Sequence, residues 1–117
     1  MIVAGFGFRE AARVESLRDA YALAGPADAL ATAADKAETP AFRALAQSLG
    51  LPVIAIPSDT LTHAATLSQS AASQRARGTG SVAEAAALAA LKGARLLGPR
   101  VISTDRLATC ALAEGEP

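Results

Sequence analysis

The stretch 78-GTGSVAEAAALAA-90, Gly78 to Ala90, decides how the rest of the chain is read. From Val82 to Leu91 it is apolar nearly all round, so a helix here needs cover on more than one side. A sheet supplies that cover, and alanine lets a helix approach it closely. The helix also has a defined start. Ser81 and Glu84 stand at the S-x-x-E spacing of a capping box, in which the serine oxygen accepts from the Glu84 amide and the Glu84 carboxylate accepts from the Ser81 amide. Gly78 and Gly80 permit positive φ in the preceding turn, where backbone amides can converge on one point. Two readings follow: a purely structural helix start, or a cradle for an anion favoured by free amides and the helix dipole.

Working outward, "MIVAGFG" predicts a buried strand over Met1 to Phe6 that runs into a Gly5-Phe6-Gly7 turn. From Arg9 to Ala24 the period becomes helical: Val14, Leu17, Tyr21 and Ala24 fall on one stripe, with Arg13, Glu15, Arg18 and Asp19 around it. Gly25-Pro26 stops that helix. Ala29 to Ala33 is read as a strand from its shortness and its place between two helices, followed by an Asp35-Lys36 turn. In "ETPAFRALAQSLG", Thr39 is a cap, Pro40 the first helical residue and Gly50 the stop, with Phe42, Leu45, Ala46 and Leu49 facing inward. "LPVIAIP" is a strand bounded by prolines. Ser58 and Asp59 open a short helix to about Leu67, and the small polar residues of 68–80 read as a mobile surface loop.

Beyond the opening stretch, Lys92 and Gly93 close the helix, and "ARLLGPRVISTDRLATCALAE" reads as two short strands with a turn near Thr104-Asp105. The order β-α-β-α-β-α-α-β-β predicts one three-layer α/β/α domain over residues 1–117. Its sheet is mixed and mostly parallel, of about five strands, with the last strand antiparallel.

Composition narrows the function. The 117 residues are 51% hydrophobic and 19% charged, which suits a folded chain. Eleven basic residues balance eleven acidic ones, and three Phe, one Tyr and no Trp offer little for base stacking. Nucleic acid is therefore not an expected partner. The single cysteine, Cys110, excludes an internal disulfide or a cysteine metal cluster and is expected in the core. The start lacks the basic and apolar regions of a signal peptide, and no apolar run approaches the roughly 20 residues that span a bilayer. A cytoplasmic location, away from the membrane, is the expectation.

Ligands of open α/β sheets sit beyond the carboxyl ends of the parallel strands. The Gly5-Gly7 turn, the Asp35-Lys36 turn, the loop after Pro57 and the start of the alanine-rich helix all belong on that edge. A dinucleotide fingerprint fails, because the third glycine position after Gly5 and Gly7 is Glu10. The chain contains neither a P-loop nor a G-x-S-x-G elbow, and His63 has no second metal ligand near it in sequence. Asp35 and Glu38 read either as an acid-base pair or as a solvated turn. Binding groups are thus present without recognisable catalytic machinery, and no metal or cofactor is expected.

Four blocks in order carry a family resemblance: "GFGFR", "LATAADKAETPAFRALAQSLGLPV", "GTGSVAEAAA" and "GPRVISTDRLATCALA". Together they span nearly the whole chain, and the third is the most specific. The sequence resembles the CobE proteins of cobalamin biosynthesis and the C-terminal domain of CbiG. It departs from their pattern at Phe8 (usually cysteine), Glu10 (often basic), Ala34 (aspartate, with Asp35 one place later) and Arg100 (usually lysine).

The resemblance implies a role in building the corrin ring, by binding or handing over a corrin or precorrin intermediate, with other enzymes of that pathway as possible partners. An enzyme acting on a precorrin, by lactone opening or fragment loss with Lys36 and Glu38 as acid and base, is the alternative. A generic nucleotide-binding α/β domain is the third reading. A ring with carboxylates at its rim and an apolar face favours the cradle. The expected ligand-binding set is Gly5, Gly7, Arg9, Lys36, Glu38, Gly78, Thr79, Gly80 and Ser81, with Arg100 as a further donor and Phe6, Phe8 and Leu61 as apolar contacts.

Overall fold

A computed structural model of the chain describes residues 1–61 and 81–117. The elements are β1 (Ile2–Phe8), α1 (Val14–Ala24), β2 (Ala29–Ala33), α2 (Ala34–Ala37), α3 (Pro40–Leu49), β3 (Val53–Ile56), α4 (Ser81–Ala90), β4 (Lys92–Leu96), β5 (Val101–Ile102) and β6 (Ala108–Glu116). Residues 58–61 form a helical turn. The expected end of that helix near Leu67, His63, the 68–80 loop and the three residues Gly78, Thr79 and Gly80 lie outside the described residues.

Six strands form one sheet in the order β3-β2-β1-β6-β4, with β5 also paired to β6. β1, β2 and β3 run parallel, and β6 is antiparallel to β1, β4 and β5. The mixed sheet with its antiparallel last strand is thus as expected, with one strand more. β4 and β5 share one edge of β6. They are a single edge strand interrupted at Leu97 to Arg100, where Gly98-Pro99 breaks the ladder. The two-strand terminal hairpin is therefore the right pairing, with its first arm in two pieces. Its turn contains Thr104 and Asp105, as expected, and uses Arg106 at φ 63°.

The period of two along β1 separates the layers. Ala4 and Phe6 face α1 and α3, joining Leu17, Ala20, Phe42 and Leu45 in one core cluster. Val3 faces the other way, onto Ala86, Ala87 and Leu91 of α4 and its end. A fully buried Leu or Phe stabilises by about 1.5–3 kcal/mol, so Phe6, Phe42, Leu17, Leu30 and Leu45 anchor the first layer. The second layer is made of small side chains, and closeness of approach replaces bulk there.

That closeness corrects the reading of the N-terminal glycines. Gly5 and Gly7 are not in a turn; β1 continues through them to Phe8, in register with β6 from Ile2↔Glu114 to Phe8↔Ala108. A Cβ on Gly5 would overlap the Ala83 carbonyl oxygen and stand 2.5 Å from the Ala87 nitrogen. The glycine is a seat for α4. Other boundaries also move. α1 starts at Val14 because residues 9–13 make a turn, in which the Ala12 amide donates to the Arg9 carbonyl (3.0 Å). Asp35 and Lys36 lie in the short helix α2, and Lys92 and Gly93 open β4 instead of closing α4.

Candidate functional site

The carboxyl ends of β1 and β2 and the start of α4 meet at one edge of the sheet. α4 runs antiparallel to β1: Val82 lies over Gly7, where an added Cβ would stand 3.1 Å from the Val82 Cβ, and Ala87 lies over Gly5. Its amino terminus therefore opens beside the carboxyl end of β1. The backbone at that end is tied from both neighbours. The Thr32 hydroxyl of β2 donates to the Phe6 carbonyl (3.0 Å), and the Thr109 hydroxyl of β6 donates to the Gly7 carbonyl (3.1 Å). The Arg9 amide then continues the ladder to the Leu107 carbonyl (2.9 Å). Its side chain is exposed.

On the α1/α3 side of the same edge, Phe8 stacks on Phe42 with centroids 5.8 Å apart and planes 6° from parallel. The Lys36 ammonium stands 5.1 Å from the centroid of the Phe8 ring, within cation–π range. α2 is braced beneath it, since the Lys36 carbonyl accepts from both the amide (3.1 Å) and the hydroxyl (2.8 Å) of Thr39. Thr39 occupies the N-cap position of α3, yet its hydroxyl serves α2 and not the α3 amides. A T-P signature marks the start of α3 but does not show that the preceding turn offers the Lys36 carbonyl to the threonine hydroxyl.

On the far flank of α4, Glu84 is buried, and its carboxylate accepts from the Arg100 amide at 3.3 Å. The interruption between β4 and β5 frees that amide from the sheet ladder and points it at the helix. Glu84 thus has a partner in the break of the edge strand that the S-x-x-E spacing alone does not show. The Arg100 Nε is buried and has no hydrogen-bond partner among the described residues.

Of the expected residues, Gly7 lies under Val82 beside the start of α4, Arg9 follows the end of β1, and Lys36 stands over Phe8 on the opposite face of the sheet, while Gly5 is buried beneath Ala83 and Ala87. Glu38, at the C-cap of α2, is exposed and pairs with Arg43 at 3.7 Å. Phe6 is completely buried, packed edge-on against Phe42 at 5.5 Å, so it is core and not a ligand contact. Phe8 and Leu61 pack against different core clusters, on opposite sides of the sheet. Among the described residues no cluster of three His, Cys, Asp or Glu side chains is placed to hold a metal, and no helix is long and apolar enough to cross a membrane.

One polar cluster lies apart. Asp105 accepts from the hydroxyls of Ser103 (2.6 Å) and Ser16 (2.5 Å) and from the Leu107 amide (3.1 Å). These bonds, that of Ser103 first, hold its carboxyl below the usual range. Ser16 in turn accepts from the Arg13 amide (3.2 Å), so the cluster latches the β5–β6 turn onto the start of α1. Nothing in the sequence pattern joins Ser16 to Asp105, which are 89 positions apart.

A single mixed sheet between helical layers, its last strand antiparallel to both neighbours, defines a small α/β domain. The family model for the cobalamin synthesis G C-terminus matches residues 2–113. The chain belongs to that family, the CbiG C-terminal and CobE type of cobalamin biosynthesis protein. Its fold is similar to that of the cobalamin biosynthesis protein chiG from Agrobacterium tumefaciens, with 34% identity over 100% of both chains and a TM-score of 0.79. It is also similar to CobE, a protein from the cobalamin (vitamin B12) biosynthetic pathway, at 30% identity over 97% of this chain and 89% of that one, with a TM-score of 0.71. No curated protein sequence matches the chain.

Proposed function

We propose that residues 1–117 act as one unit that binds a corrin-ring intermediate of cobalamin biosynthesis, or hands it to another enzyme of that pathway in the cytoplasm. The observation that carries this reading is the carboxyl end of β1, where Lys36 stands over Phe8 on one face of the sheet, Arg9 is exposed, and α4 begins over Gly7 on the other face. Corrin intermediates bear acetate and propionate groups around an apolar ring. Two cationic side chains and the positive end of a helix offer complementary charge to such a rim, and Phe8 supplies apolar surface near it. The amides of Gly78 to Ser81 belong to the proposed binding set on the strength of the sequence pattern.

The test is a spectroscopic titration of the purified chain with cobyrinic acid, a coloured corrin polycarboxylate, followed by a search for product formation. Saturable binding that weakens as salt rises supports the reading. No spectral change at millimolar ligand overturns it. Multiple turnovers of a precorrin lactone, lost in Lys36→Ala, would instead establish the enzymatic alternative.

A further inference from the structure

We infer that Phe8 is a positioning residue for Lys36, holding its ammonium at the carboxyl end of β1 before any ligand arrives. The inference rests on the corrin-binding reading of this edge. Lysine carries a long flexible side chain, and ordering it on binding lowers affinity. Here three contacts do the ordering in advance. Phe42 is fully buried and stacks on the Phe8 ring, so that ring has a fixed plane. The ring face attracts the ammonium at 5.1 Å through its quadrupole. Thr39 holds the Lys36 backbone through two hydrogen bonds to its carbonyl. Lys36 is half-buried, so part of its stem is covered, while the ammonium keeps its three donors for a carboxylate. An aliphatic side chain at position 8 would fill similar space and offer no such attraction. The aromatic character of Phe8, and not its bulk alone, is what the arrangement uses.

The chain contains two lysines, Lys36 and Lys92, and Lys92 is exposed at the opposite end of the sheet, paired in register with Glu116. Lys92 is therefore an internal reference. In proton NMR of the ligand-free protein, the Lys36 ε-methylene should lie upfield of that of Lys92, shifted by the Phe8 ring current. The displacement should vanish in Phe8→Leu and persist in Phe8→Tyr. Phe8→Leu should weaken cobyrinic acid binding about threefold in the parent background and by nothing further in Lys36→Ala. If Phe8→Leu does not fold, the parent spectrum and Phe8→Tyr still decide the positioning. An undisplaced Lys36 methylene, or an equal threefold loss in the Lys36→Ala background, overturns the inference and leaves the corrin reading standing. A displaced methylene with cobyrinic acid affinity indifferent to Lys36→Ala overturns the corrin reading of this edge, and the binding role of Phe8 with it.

Discussion

Replacing Gly5 with alanine tests the seating of α4 on the sheet. The added Cβ would overlap the Ala83 carbonyl oxygen and lie 2.5 Å from the Ala87 nitrogen and 2.9 Å from the Ala87 Cβ. Ordinary carbon contacts lie at about 3.5–4.0 Å, so the helix must rise by about 1 Å for the methyl to fit. All the obstructing atoms belong to the helix backbone or to a Cβ, and no side chain can swing aside. Overpacking of a core usually costs about 1–3 kcal/mol, and a rigid backbone obstruction places this substitution near 3 kcal/mol. Unfolding entropy scales to about 0.25 kcal/mol per kelvin for a chain of this length, so Tm should fall by about 12 °C. Gly98→Ala is the control: no atom of the described residues lies within 4 Å of its added Cβ and its φ is not positive, so Tm should hold within about 2 °C. Circular dichroism melts of both variants decide the matter. A Gly5→Ala protein as stable as the parent would refute the close seating of α4 on β1.

Burial pushes the Cys110 thiol up to about 12, so at pH 8 Ellman's reagent should leave the native protein untouched and react with one thiol after denaturation. The Asp105 carboxyl is held below its ordinary value of 3.8, so its contribution to stability is present above that value and is lost as pH falls through the lower folded-state value. Asp105→Asn should therefore lower stability at neutral pH and reduce the acid loss, read from urea midpoints across pH; an unchanged acid limb would exclude the latch. Arg9→Ala and Lys36→Ala should each weaken cobyrinic acid binding by several-fold, with Tm within about 3 °C of the parent, since neither side chain belongs to the core. Unchanged affinity in both would remove them from the site.

Patterns that repeat within one element were legible. The apolar runs of β1 and β3 and the T-P and L-G boundaries of α3 carry their structural meaning locally. Where a residue's reason lay far along the chain, the reading failed. Gly5 looks like a turn glycine because it sits in a G-x-G, while its cause is a helix 78 positions later that a sequence window cannot include. The break at Gly98-Pro99 is visible, but its use is not. Only the pairing of β4 and β5 with the same edge of β6 shows that the two arms are one strand and that the loosened Arg100 amide meets Glu84. The candidate site rests on residue types that the sequence assigns to one sheet edge. The Phe8–Lys36 contact was not legible, because α2 is a single turn with too few residues to show a face.

The placement of β6 has a consequence for how the chain reaches this fold. Its neighbours on one side are β4 and β5 and on the other β1, so the final stretch of sequence is inserted between the first strand and the edge. The register Ile2↔Glu114 joins positions over a hundred residues apart. Loop closure of that span must precede the reward of pairing, which slows assembly. On a ribosome, β1 to β3 can associate as soon as they emerge. β4 and β5 must wait, since among the described residues each pairs with β6 alone. A nascent chain halted before Ala108 would hold half a sheet and a row of unanswered amides along β1, an open edge that invites misassociation until the last nine-residue strand arrives.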